Sequence, residues 1–289
     1  MYFEKINLSV DSQKCIHCGL CADECQNRAI EMDPVSNIPR VAPDNGDARC
    51  MHCRHCLMIC PVGALSVDHV NPGDCPAVGE FPSYGSLLNL VRGRRSHRDF
   101  EQKNVSAETI SELMDAMRYV PTGVNFRNLH FSLIDDIEVM NQYREQTYNH
   151  IRHIVEENRD PAAVKFTKGM YDMHKAGKDP VFRTAPHLLL VSVREDAPTA
   201  EADPLIAVSY FELLAHALGL GTVWFGRFLM MERSGFFPGL LKPFRVPAGY
   251  RTGYAMLFGK STRTFCRTCN PDPVAVVKMN REDVPGCLG

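Results

Sequence analysis

Two cysteine runs constrain this chain more than any other feature. CIHCGLCADEC holds Cys15, Cys18, Cys21 and Cys25, and CMHCRHCLMICP holds Cys50, Cys53, Cys56 and Cys60, both with the spacing C-x2-C-x2-C-x3-C. Nine of the twelve cysteines fall in the first 75 of 289 residues. Such a segment is either a disulfide framework of an exported chain or a metal site in a reduced compartment. The start, MYFEKINLSV, has Glu4 and Lys5 where an export leader needs an apolar run, so the expectation is a cytoplasmic protein with reduced thiols. Turn signals at Asp33-Pro34, Asp44-Asn45-Gly46, Pro61 and Asn71-Pro72-Gly73 leave no room for a long amphipathic helix. The segment is a small, loop-rich unit that needs an internal staple.

Three thiolates within seven residues can wrap three corners of an iron–sulfur cubane, and the fourth, three residues on, is carried toward a second cluster. The expected ligation is therefore crossed: Cys15, Cys18, Cys21 and Cys60 for one [4Fe-4S] cluster, Cys50, Cys53, Cys56 and Cys25 for the other. Zinc and buried free thiols are the alternatives, but four thiolates in each run exceed the two separated pairs that a structural zinc site uses. Residues 8 to 70 resemble the bacterial two-cluster ferredoxin module. The one departure is Gln26, where that family has proline after the fourth cysteine. His17, His52 and His55 sit between ligands and read as surface or supporting residues. Cys75, Cys266, Cys269 and Cys287 lie outside the runs, and the lone Cys266/Cys269 pair reads as ordinary thiols.

The rest of the chain is of ordinary globular composition, with 45% apolar and 23% charged residues and a net charge of -2. That balance argues against nucleic-acid binding. The first 80 residues carry eleven acidic and six basic side chains, net -5, leaving +3 for the remainder. The most apolar stretch, Leu205 to Met231, is broken by Glu212, His216 and Arg227, so no membrane span is expected. Residues 71 to 85 read as a linker. Beyond it, Ser106 caps a helix with Ile110, Leu113, Met114 and Met117 on one face, ending before Pro121. A second helix fits residues 137 to 157, and a third has Asp203 as N-cap, Pro204 at the first helical position and Gly219 as its stop. Strands are expected at His130 to Ile134, His187 to Val193, Thr222 to Phe225 and Gly253 to Phe258. The fold class is α+β: a ferredoxin-like domain over residues 1–80, then helices flanking a central sheet over residues 81–289.

Arg92 to Arg98 concentrates four arginines and a serine in seven residues, a composition suited to phosphate oxygens or to a solvated basic face. Taken in order, RRSHRDF, PTGVNFRNLH, LGLGTVWFG and an arginine-rich C-terminal segment resemble the nitroreductase family of FMN enzymes over about residues 85 to 270. The resemblance implies a homodimer with FMN at the subunit interface. It implies that Arg94, Arg95, Ser96 and Arg98 hold the phosphate and ribityl chain, and that Pro121, Thr122, Gly123 and Asn125 approach the flavin from the neighbouring subunit. It also implies Trp224, Phe225 and Gly226 along the isoalloxazine, with Arg263 or Arg267 closing on the phosphate. Trp224 and Phe225 equally suit a plain core. Arg127 stands where the family often has glutamine. No nucleophile motif or P-loop occurs, consistent with a cofactor that carries the chemistry. His97, Tyr148, Tyr171 and His174 are candidate proton donors, and residues 141 to 182 are long enough for a lid over the flavin.

The reading that unites these features is an oxidoreductase that takes electrons from a low-potential donor such as reduced ferredoxin. They pass through two [4Fe-4S] clusters to FMN, and FMN reduces a small organic acceptor: a nitro compound, quinone or activated double bond. The alternatives are a non-catalytic redox sensor or electron-transfer adaptor, and a zinc module on a nucleic-acid-binding domain.

Overall fold

The computed structural model describes residues 5–280; Cys287 lies outside them. The cysteine-rich segment is built from two small antiparallel ladders: β1 (Leu8–Val10) pairs β4 (Leu65–Val67), and β2 (Ile30–Met32) pairs β3 (Pro39–Val41). Its helices, α1 (Leu20–Asp23), α2 (Gly46–Arg49) and α3 (His55–Met58), are single turns. The small core joins Ile6, Ile30, Leu57, Leu65 and Val67 to six of the eight run cysteines. So little apolar area is a weak core by itself, as expected of a unit stapled by metal.

After a 3-10 turn at Pro72–Asp74 the chain runs exposed to Ser83, whose hydroxyl caps α4 (Tyr84–Gly93) by accepting from Ser86 N. The expected linker therefore ends two residues early, where this cap starts a helix. The helix α5 (Ala107–Ala116) begins as expected, Ser106 Oγ accepting from Thr109 N, and passes into a 3-10 turn at Met117–Tyr119. Next come β5 (Leu129–Ile134), α6 (Ile137–Glu157), α7 (Pro161–Lys175), β6 (His187–Arg194), α8 (Asp203–Ala217), β7 (Gly221–Trp224), α9 (Gly226–Arg233) and β8 (Tyr250–Gly259).

Strands β5, β6, β8 and β7, in that spatial order, form one antiparallel sheet. Residues Leu188 to Val191 are fully buried because both faces are covered: Leu188 and Leu190 join the core beneath α6, α7 and α9, while Leu189 and Val191 join the one beneath α5 and α8. Beyond β7, Ser96 adds a parallel bridge to Thr222. The 141 to 182 region is mainly the packed pair α6 and α7, with Tyr143, Ile151 and Met170 buried in the core.

The start of α8 differs from the expected cap. Ala202, not Asp203, is its N-cap, and Asp203 is its first helical residue with a side chain only 1% exposed. That carboxylate caps a loop instead of its own helix.

Candidate functional site

The eight run cysteines gather into two sets. One cavity is lined by Cys15, Cys18, Cys21 and Cys60, another by Cys25, Cys50, Cys53 and Cys56. Each set takes three residues from one run and one from the other, the crossed arrangement expected from spacing. The backbone repeats the duplication. His17 and Gly19 in the first run, and His52 and Arg54 in the second, all have positive φ, between 50° and 77°. These left-handed turns fold each three-cysteine loop around its cavity. The fourth cysteines match too: Cys25 Sγ accepts from Ala29 N and Cys60 Sγ from Ala64 N, both at 3.2 Å, with Arg28 and Gly63 left-handed between them. Gln26 thus supports the same turn as Pro61.

Burial pushes the Cys21 and Cys50 thiols up and Cys56 to about 12. Neighbouring thiolates raise them further, Cys60 and Cys18 acting on Cys21, and Cys53, Cys50 and Cys25 on Cys56. Low-dielectric surroundings that disfavour bare thiolates suit thiolates compensated by metal. Among the described residues no three Cys, His, Asp or Glu side chains are grouped as around a single metal ion. The thiols ring cavities, as the separated corners of a cubane require. The histidines are otherwise engaged: His17 Nδ1 with Asn37 O, His52 Nδ1 with Asp68 Oδ2, and His55 Nδ1 with Glu24 Oε1.

The loop of Pro121 to Asn125 lies against the second cysteine set. Pro121, Thr122 and Asn125 share its cavity, of about 310 Å³. Asn125 Nδ2 donates to Met51 O at 3.0 Å and His52 O at 3.1 Å, the carbonyls between Cys50 and Cys53. From the other side Gly123 N donates to Thr199 Oγ1 and Asp203 Oδ1, both at 3.1 Å. Val124, Asn125 and Arg127 all have positive φ, and for the β-branched Val124 at 47° this is a strained conformation that the surrounding bonds hold. Arg127 donates to Arg118 O, and its N–H to Thr122 Oγ1.

A basic corner forms at the opposite edge of the sheet. Ser96, His97, Arg98, Asp99, Ser261 and Arg263 surround a second cavity of about 310 Å³, closed by Phe265. Arg94 reaches Glu212 Oε1 at 3.4 Å, and Arg95 donates its N–H to His216 Nε2 and Nη1 to Cys269 Sγ. Arg263 pairs with Asp99, whereas Arg98 makes no ion pair among the described residues. Burial lowers the pKa of His97 and His216, and the Nδ1 atoms of both are buried without partners. A cationic cavity edged by a serine and an uncommitted arginine fits a phosphate. Gly221 is required here, since a Cβ would stand 2.7 Å from His97 Cγ.

The remaining expected residues divide. Trp224 is half-buried and packs edge-on against Tyr254, but Phe225 is 3% exposed and packed on Phe182 and Phe228, leaving only its backbone for a ligand. Arg267 lies in the exposed segment after β8, away from any regular element. Tyr148 is committed to Asp179 and stacked on His174, and Tyr171 to Glu156. Cys266 and Cys269 are free thiols. The sequence gives no sign of a site role for Thr199, Asp203, Glu212, His216 or Phe265, because each acts through contacts made by the tertiary fold.

A cage for iron–sulfur clusters seated against a loop of an α+β sheet fold makes this a redox protein. The chain belongs to the nitroreductase family, whose model matches residues 91–260, and a 4Fe-4S dicluster domain matches residues 14–64. It is an oxidoreductase of that family with a ferredoxin-type domain. Among solved structures, a nitroreductase with bound FMN from Desulfitobacterium hafniense shares the fold, with TM-score 0.52 and 20% identity, covering 66% of this chain and 98% of that one. Among curated proteins, an iodotyrosine deiodinase from Thermotoga neapolitana is 26% identical over 144 residues, 47% of this chain and 72% of its own. An uncharacterized polyferredoxin-like protein of Methanocaldococcus jannaschii is 32% identical over 89 residues, 26% of this chain and 49% of its own. Among the described residues no helix is long and apolar enough to cross a membrane.

Proposed function

We propose that the chain is an iron–sulfur flavoprotein oxidoreductase in which two [4Fe-4S] clusters pass single electrons to FMN, for reduction of a small organic acceptor. The observation that carries this reading is the shared cavity in which Cys25, Cys50, Cys53 and Cys56 meet Pro121, Thr122 and Asn125. FMN supplies the step from one-electron supply to two-electron chemistry. Arg94, Arg95, Ser96, Arg98 and Arg263 hold its phosphate end, with Arg267 reaching from the exposed segment. Pro121 to Asn125 and Trp224 to Gly226 bound the ring.

The two halves of that site stand at opposite ends of α8. Asp203 holds Gly123, and thirteen residues on His216 holds Arg95. At 1.5 Å per residue the span is about 20 Å. The resemblance to the nitroreductase family implies a homodimer, and this separation supports it, each chain giving the clamp of one site and the loop of the other. The exposed Phe81, Tyr84, Leu87 and Val91, on and before α4, offer apolar surface for that contact. The division between the two domains is placed near residue 80, in the exposed connection, and the compartment is the cytoplasm.

The donor is a low-potential one-electron carrier such as reduced ferredoxin. Acceptors are nitro compounds, quinones or activated double bonds, and similarity to an iodotyrosine deiodinase adds halogenated phenols to the panel. The test is anaerobic stepwise reduction of the purified protein with reduced ferredoxin or NADH, followed by each acceptor. Bleaching by ferredoxin and reoxidation by at least one acceptor supports the reading. Zinc with no flavin, or reduced protein that no acceptor reoxidises, sinks it.

A further inference from the structure

The two cysteine sets are not equivalent in their surroundings. Cys18 of the first set is exposed, and its cavity opens among Ile16, Leu20 and Val62, all of them exposed, with no described residue from beyond the cysteine-rich segment. The second set is covered by the loop of Pro121 to Asn125. Asn125 grips the backbone carbonyls on both sides of the His52 Cα, so the segment from Cys50 to Cys53 is tied to the loop. The phosphate corner of the same chain is far from this junction, at the other end of α8 and at the opposite edge of the sheet, beyond β7 where Ser96 bridges Thr222.

We infer that electron delivery crosses between subunits: the cluster held by Cys25, Cys50, Cys53 and Cys56 of one chain serves the flavin whose phosphate is clamped by Arg94, Ser96 and Arg98 of its partner, with Asn125 as the residue that positions cluster against flavin. This rests on the proposed function and gives it a direction. The Cys15, Cys18, Cys21, Cys60 set, which reaches the surface at Cys18, receives electrons, and the set under the loop releases them. An external low-potential one-electron reductant is oxidised twice. Its two electrons pass one at a time through both clusters, and the flavin is reduced by two electrons with protons drawn from water. A chain that holds both a clamp and a cluster therefore does not reduce its own clamped flavin.

Mixed dimers, made by coexpressing differently tagged chains, separate this from delivery within one chain. In the first dimer, one chain carries Cys53→Ser, and its partner carries Arg94→Ala and Arg98→Ala. The single clamped flavin then faces the intact cluster of the other chain and bleaches on anaerobic mixing with reduced ferredoxin. In the second, a wild-type chain is paired with one carrying all three substitutions. Its clamped flavin faces the defective cluster and stays oxidised over the same interval. The reverse pattern, or bleaching in both, overturns the inference. Absence of FMN from the wild-type protein would instead defeat the proposed function itself.

Loss of one cluster can unfold the small domain, so Asn125→Ala supplies a second reading with all thiols present. At saturating FMN, with iron content matched and rates taken per bound flavin, cluster bleaching keeps its rate while flavin bleaching slows about tenfold to a hundredfold, the scale of cost that a misplacement of about 1 Å carries. Amide hydrogen exchange at residues 50–54 rises in parallel. Equal flavin and cluster rates in the variant and the wild type would assign Asn125 no positioning role and overturn that part of the inference.

Discussion

The backbone N–H of Gly123 donates to the buried carboxylate of Asp203 at 3.1 Å, tying the loop that faces the iron–sulfur domain to the first turn of α8. Thr199 Oγ1 binds the same carboxylate at 2.7 Å and accepts from the same N–H. Only glycine fits, because a Cβ at position 123 would stand 2.0 Å from Thr199 Oγ1. Gly123→Ala therefore forces the loop or Thr199 aside, at a cost of about 1–3 kcal/mol. Chemical denaturation of the holoprotein measures that loss, and FMN affinity falls with it because the loop bounds the flavin. An alanine variant of wild-type stability would contradict the packing described.

Crossed ligation is tested by pairing substitutions. Cys15→Ser with Cys60→Ser places both lesions on one cluster, so iron falls from about eight to about four per chain. Cys15→Ser with Cys25→Ser damages both clusters and removes nearly all the iron. If each run held its own cluster, the two variants would exchange results. Iron analysis of protein purified without oxygen decides between them.

At the basic corner, Arg98 has no ion pair among the described residues to lose, and Arg263 is already paired with Asp99. Removing a charge-assisted hydrogen bond costs about 1.5–3 kcal/mol, so Arg98→Ala weakens FMN binding about tenfold to a hundredfold. Arg263→Ala has the smaller effect, since its charge is partly neutralised before the ligand arrives. Flavin fluorescence titration of the apoprotein orders the two variants.

His187 gives the fold a predictable acid limb. It is fully buried, its Nε2 accepts from Val105 N, and burial lowers its pKa from 6.5 to about 4. Between those values the unfolded chain binds the proton that the folded chain refuses. The stability contribution is thus complete above about pH 6.5 and is lost as pH falls toward about 4, in total about 3 kcal/mol. His187→Gln, which retains an acceptor, flattens stability across that window in denaturation curves measured from pH 7 to pH 4.

Where the chemistry sits in local spacing, the sequence was legible. The cysteine runs announced both thiol sets because a cubane imposes its geometry on consecutive residues, and β6 was visible because both its faces are buried. The helix α7 is hard to read in the sequence although Asp160 caps it and Pro161 opens it, because Tyr, His and Lys side chains along it obscure its apolar face. Asp203 shows the reverse failure. Asp-Pro before an apolar run reads as a helix cap, yet the carboxylate is drawn away by Gly123 and Thr199, partners far from it in sequence or outside any motif. Asn125 was foreseen as a flavin residue, and nothing near it in sequence points to the carbonyls of Met51 and His52.

The most direct test of the whole account is an anaerobic coulometric titration of the purified protein, with absorbance followed throughout. One electron for each of two clusters and two for FMN predict uptake of about four electrons per chain, with the flavin bands and the broad iron–sulfur absorbance both bleaching. Uptake of about two electrons with no iron–sulfur bleaching, or no uptake at all, would contradict it.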